Sequence, residues 1–229
     1  RNAEDSTASY AGQATQISNN IEGLGDPIWS TADCHGSKGR LRGSITLPSI
    51  KSLWHKDLGS GSTLNHEMLH LWGGGDLLPD TENFEGELIT GHWGISSANG
   101  LLGGFKADEL EVIDNGVYRA NYFNDSGGNN DQPFSPLELY IMGVLPASEV
   151  PDTVVFSGVS KLNDNNTCED YGYEWWMSTC FRASKKRLVN IQEVIDLVGE
   201  RPYKEELEIS MLVVAVSEAV SYTHLTLPT

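Results

Sequence analysis

The chain has 229 residues, with 32 acidic against 15 basic side chains, a net charge of −17 and 39% apolar residues. This is the composition of a globular domain with a sizeable core, and 24 glycines announce many turns. An acidic surface repels phosphate backbones, which argues against nucleic acid as a partner, and no run approaches the roughly 20 apolar residues of a membrane helix.

Residues 1–30 are polar, and Gly23, Gly25 and Pro27 predict loops around short elements. In GRLRGSITLPS, Leu41, Gly43, Ile45 and Leu47 alternate to one side, which predicts a strand with one buried face. DLGSGS reads as a loop. Ser62 or Thr63 is then placed to cap a helix that stops at Gly73-Gly74-Gly75. That helix carries Leu64, Met68, Leu69, Leu71 and Trp72, so it should be buried. Residues 76–91 are acidic and irregular, with one or two helical turns expected around Asn83–Ile89. GHWGISSANGLLGGF reads as a Gly-rich loop with short extended pieces. LEVIDNGVYRANYF predicts a hairpin about Asn115-Gly116, closed by a tight primed turn.

SPLELYIMG predicts a short helix with Ser135 as N-cap, Pro136 at N1, Glu138 at N3 completing a capping box, and Gly143 as the stop. DTVVFSGV is a predicted strand, and NIQEVIDLVG repeats the capped helix with Asn190, Glu193 and Gly199. EISMLVVAV predicts a buried strand by length and β-branching. The sum is an α+β fold in one domain, residues 1–220. The closing VSYTHLTLPT breaks the preceding pattern and resembles the translated adapter tail of a metagenomic reading frame. Residues 221–229 are therefore set aside and His224 is discarded as a ligand. Cys168 and Cys180 bracket an aromatic loop, and a disulfide there would stabilise an exported chain by about 3 kcal/mol. Cys34 is left over as a buried free thiol.

The segment STLNHEMLHLWGGGD holds His66, Glu67 and His70 in the spacing H-E-x-x-H. On a helix, i and i+4 share a face with Cβ atoms about 6 Å apart, so both imidazoles can reach one zinc ion. Glu67, one step round the helix, lies beside the metal, where it can take a proton from water and pass it to a leaving amine. A chance match in a chain with 6 histidines has a probability on the order of one per cent. Two residues compete as third ligand: Asp76, returned by a turn at Gly73, and His92 in GHWG, 22 residues beyond His70. Glu82, Glu85 and Glu87 are weaker candidates, while His35 and His55 carry no ligand spacing.

HEMLHLW, GHWG and SPLELYIMGVLPASEVP together resemble a group of poorly characterised secreted bacterial proteins. RLVNIQEVIDLVGERPY and ISMLVVAV resemble that group's downstream segments, so the likeness spans about residues 20–218. It implies a zincin-type zinc metallopeptidase, extracellular and acting on protein or peptide. The implied fold has a mixed sheet, a buried active-site helix and a loop-rich lower part. It also implies His66, His70 and His92 as zinc ligands, with Glu67 as the catalytic base and Asp76 behind an imidazole. Met142 could lie beneath the site as the metzincin methionine does, or be ordinary core, and Tyr140 could serve an oxyanion. The motif by itself leaves open a secreted binding module with structural or no zinc, and a zinc hydrolase of a non-peptide amide or ester.

Overall fold

The strand and helix signals of the sequence are local, and most of them set the elements directly. The computed structural model describes residues 12–47, 63–73, 77–83, 86, 91–121, 133–163, 168–169 and 178–214. Near the start, β1 (Gln13–Gln16) pairs antiparallel with β4 (Gly43–Thr46), Ala14 opposite Ile45. The predicted alternation holds there: Leu41, Gly43, Ile45 and Leu47 are half-buried while Ser44 and Thr46 are exposed. Between them, β2 (Ser18–Asn19) pairs with β3 (Trp29–Ser30). A four-stranded sheet follows, in the order β5-β6-β8-β7, built from β5 (Leu110–Asp114), β6 (Val117–Asn121), β7 (Thr153–Lys161) and β8 (Ser178–Val189).

The architecture is α+β, with small sheets and few helices. The sheets are not mixed as expected, because every described strand pairing is antiparallel. Parallel neighbours need a crossover of a dozen residues or more, whereas β5 turns straight back into β6 at Asn115-Gly116. That turn also departs from the expected primed type. Gly116 has φ +73°, Asn115 does not adopt positive φ, and the ladder shifts register between Val112 and Asp114. A bulge and one left-handed glycine thus match the strand twist that a primed turn would otherwise supply.

The helices are short. α1 (Thr63–Leu69) runs on as a 3-10 turn, His70–Trp72, and stops at Gly73, whose φ is +92°. α2 (Pro136–Met142) has the predicted capping box: Ser135 Oγ accepts Glu138 N–H at 3.3 Å, and Glu138 Oε2 accepts Ser135 N–H at 2.8 Å. α3 (Ile191–Val198) repeats it between Asn190 and Glu193. One core cluster joins Leu69 and Trp72 to Trp93, Leu101, Leu102, Leu137 and Ile141, so α1, the 91–105 loop and α2 are packed as one block. A second cluster, with Phe105, Phe156 and Phe181, joins that loop to the four-stranded sheet.

Two further expectations are corrected. Residues 208–214 form no strand, and Leu212 is 85% exposed. Apolar β-branched residues favour a pleated strand only where a neighbour completes the ladder and covers a face, and among the described residues none pairs with this segment. Cys34 is exposed, in a 3-10 turn whose single buried residue is Ala32. Cys168 and Cys180 form the expected disulfide. No described helix is long and apolar enough to cross a membrane. Ser62, most of the helix expected around Asn83–Ile89, and residues 221–229 lie outside the described residues.

Candidate metal centre

Helix geometry alone puts His66 and His70 on one face of α1 and its continuing turn. His66 is buried, and its Nδ1 lies 2.8 Å from the Leu101 carbonyl oxygen. A carbonyl only accepts, so Nδ1 carries the hydrogen and the Nε2 lone pair points the other way. Around that lone pair the chain places two more imidazole nitrogens. His70 Nε2 and His92 Nε2 each stand 3.3 Å from His66 Nε2. All three donor atoms lie within 4.8 Å of one another.

These distances test the fit of an ion. Nitrogens held ~2.05 Å from one metal at tetrahedral angles stand about 3.3 Å apart. The two separations from His66 Nε2 match that edge. The donor set is three imidazoles with no carboxylate among the described members of the cluster, a set that suits zinc and other first-row transition metals rather than calcium or magnesium. The group could therefore hold a metal ion. Burial pushes His70 and His92 down to about 4, and the neighbouring His66 adds to the shift at both. Both are then neutral near pH 7, as a ligating imidazole must be.

His92 arrives from the loop after α1. Gly91, with φ +84°, lets the chain turn close to the His70 ring, where an added Cβ would sit 3.7 Å from Cε1. Trp93 on the other side is fully buried, and its N–H donates to Leu102 O at 2.8 Å. His92 is thus pinned between a permissive turn and an anchored indole.

Glu67 is 7% exposed. Its carboxyl is raised above the ordinary range, chiefly by burial, against the opposing pull of His66 and of a hydrogen bond from the Ala14 backbone in β1. The β1 end of the chain also lies directly on its side chain: a Cβ at Gly12 would stand 2.5 Å from Glu67 Cγ. A buried carboxyl beside a histidine cluster, with its acidity weakened, is suited to taking and returning a proton.

The other candidates fall elsewhere. Glu82 Oε2 accepts Val159 N–H at 3.0 Å and so holds β7. His35 is exposed. Tyr140 is buried with its hydroxyl accepting Arg201 N–H at 2.9 Å, and Met142 is part of the α2 core. Trp72 and Trp93 are core walls. Asp76, Glu85, Glu87, His55 and His224 lie outside the described residues. Sequence reasoning missed the Leu101 carbonyl behind His66 and the β1 backbone on Glu67. Backbone groups have no residue signature, and only the glycine richness of 94–104 hinted at close approach.

Compared with known proteins, the chain matches no family model, no curated protein and no solved structure.

Proposed function

We propose that this chain is an extracellular zinc-dependent endopeptidase of the zincin type. The observation that carries the proposal is the placement of His70 Nε2 and His92 Nε2 each at tetrahedral-edge distance from His66 Nε2, with Glu67 next in sequence and buried beside them. Among the described residues the cluster has three protein ligands, the number a catalytic zinc takes, against four in a structural site. When bound, zinc supplies Lewis acidity and makes water nucleophilic at neutral pH. The residues themselves do the rest. The three imidazoles would hold the ion, and the Leu101 carbonyl keeps His66 in the tautomer that presents Nε2. Glu67 takes the proton of the attacking water and delivers it to the leaving amine, and its raised carboxyl brings it nearer to balance between the two tasks. The Cys168–Cys180 disulfide is compatible with an oxidising location.

The test is metal analysis together with Glu67→Gln. The expected result is one zinc per chain in both proteins, digestion of casein by the parent, and no digestion by the variant. Cleavage by Glu67→Gln at the parent rate would dispose of the mechanism. A parent chain that carries zinc yet cleaves small esters and no peptide would move the proposal to another hydrolase class.

A further inference from the structure

Glu138 is an acid buried at 0% exposure in the middle of a core, and its helix-capping role accounts for one of its hydrogen bonds. Three others leave α2 and reach 36 to 45 residues back along the chain. Oε1 accepts Leu102 N–H at 2.8 Å and Trp93 Nε1–H at 2.9 Å, and Oε2 accepts Leu101 N–H at 3.1 Å in addition to Ser135 N–H. All four partners are N–H donors, so both oxygens act only as acceptors. A glutamine at N3 would serve the cap as well, but its amide nitrogen would face two of those donors. The cap therefore does not explain the carboxylate. Gly100 shows how closely the loop approaches: a Cβ there would run into both carboxylate oxygens, although its φ lies outside the left-handed region.

The Leu101–Leu102 peptide group connects this carboxylate to the cluster. Its N–H, on Leu102, points to Glu138 Oε1, and its C=O, on Leu101, accepts from His66 Nδ1 at 2.8 Å. The result is a chain of hydrogen bonds running carboxylate, peptide, imidazole. Such chains polarise each member. Metal-binding histidines are commonly oriented and made more basic by a carboxylate on their far nitrogen, and here one peptide group is interposed. The Trp93 indole on the same oxygen holds the residue next to His92. One buried acid thus stands behind two of the three donors.

We propose that Glu138 is a positioning residue of the metal centre, orienting and polarising His66 through the Leu101–Leu102 peptide and anchoring His92 through Trp93. This rests on the proposal that the three histidines hold a metal. The experiment measures Zn2+ affinity of the full chain by chelator competition, and the visible spectrum of the Co2+-loaded protein, for the parent, Glu138→Gln and Asn190→Ala. The last removes the α3 cap and lowers stability away from the centre, so it should keep parental affinity and spectrum. Glu138→Gln should bind zinc about 10–100-fold more weakly and alter the Co2+ spectrum at saturation. If Glu138→Gln does not fold, Trp93→Phe takes its place, removing the indole bond together with part of a fully buried ring, with a weaker affinity and altered spectrum expected again. Parental affinity with an unchanged spectrum in the decisive variant overturns the proposal. A parent chain that takes up neither Zn2+ nor Co2+ overturns the metal proposal itself, and the positioning role with it, before any variant is compared.

Discussion

On the proposed mechanism, Gly12→Ala separates the placement of Glu67 from the holding of the metal. A methyl group at residue 12 would stand 2.5 Å from Glu67 Cγ and 2.9 Å from Cδ and Oε1. Carbon atoms rest about 3.5–4.0 Å apart, so the glutamate must give way by about 1 Å. The backbone at Gly12 is not left-handed, so alanine suits its conformation, and the clash with the buried glutamate should cost about 1–3 kcal/mol of stability. The displaced carboxyl, however, loses its bond from the Ala14 backbone and its approach to the reacting water. A misplacement of about 1 Å costs a catalytic group on the order of 100-fold in rate, or about 2.7 kcal/mol of transition-state stabilisation. The assay is the initial rate of casein digestion by zinc-loaded parent and variant, with zinc affinity and thermal midpoint measured in parallel. The rate should fall about 100-fold while zinc affinity stays close to the parent and the midpoint drops only by the cost of that clash, since the nearest neighbours of that methyl are all Glu67 atoms. A variant that digests at the parental rate, or one that loses zinc in proportion to activity, would refute the reasoning.

Zinc at 100 times its Kd should stabilise the parent by about 2.7 kcal/mol, seen as a rise in thermal midpoint. His92→Ala should forfeit most of that rise, and an equal rise in both would remove His92 from the ligand set. In the metal-free protein, His70 and His92 are held at about 4 against 6.5 in an unfolded chain. Below 6.5 the unfolded state therefore binds protons that the folded state refuses, so stability is lost as pH falls from 6.5 to about 4, by at most ~3 kcal/mol per histidine. Urea midpoints in EDTA at pH 7.5 and 4.5 should show a smaller loss for the double variant His70→Gln/His92→Gln than for the parent; identical losses would contradict it. Reducing Cys168–Cys180, which spans 12 residues, should cost about 3 kcal/mol in urea denaturation, and an unmoved midpoint would show that the loop closure contributes nothing.

What could be read from the residues was what neighbouring residues decide. The capping boxes at Ser135 and Asn190 are closed by groups three positions away, so residue identity and spacing suffice. The convergence of His66 and His70 follows from the rise of a helix in the same way. The hairpin was legible as a pair of strands, but its turn was not, because a bulge and a primed turn are alternative answers to the same strand twist.

Tertiary structure decided whatever depended on segments far apart in the chain. His92 comes to the helix pair because Gly91 turns beside His70 and Trp93 is locked into the core, contacts that no local pattern encodes. Residues 208–214 carry strong strand propensity but form no strand, since a strand exists only with a partner to complete its hydrogen bonds. Glu138 shows both levels in one side chain. The sequence by itself made it a helix cap, through a bond three residues long. Only the packing of the 91–105 loop against α2 placed its second oxygen under Leu102 and Trp93, because a buried carboxylate must find every one of its donors, wherever in the chain they lie.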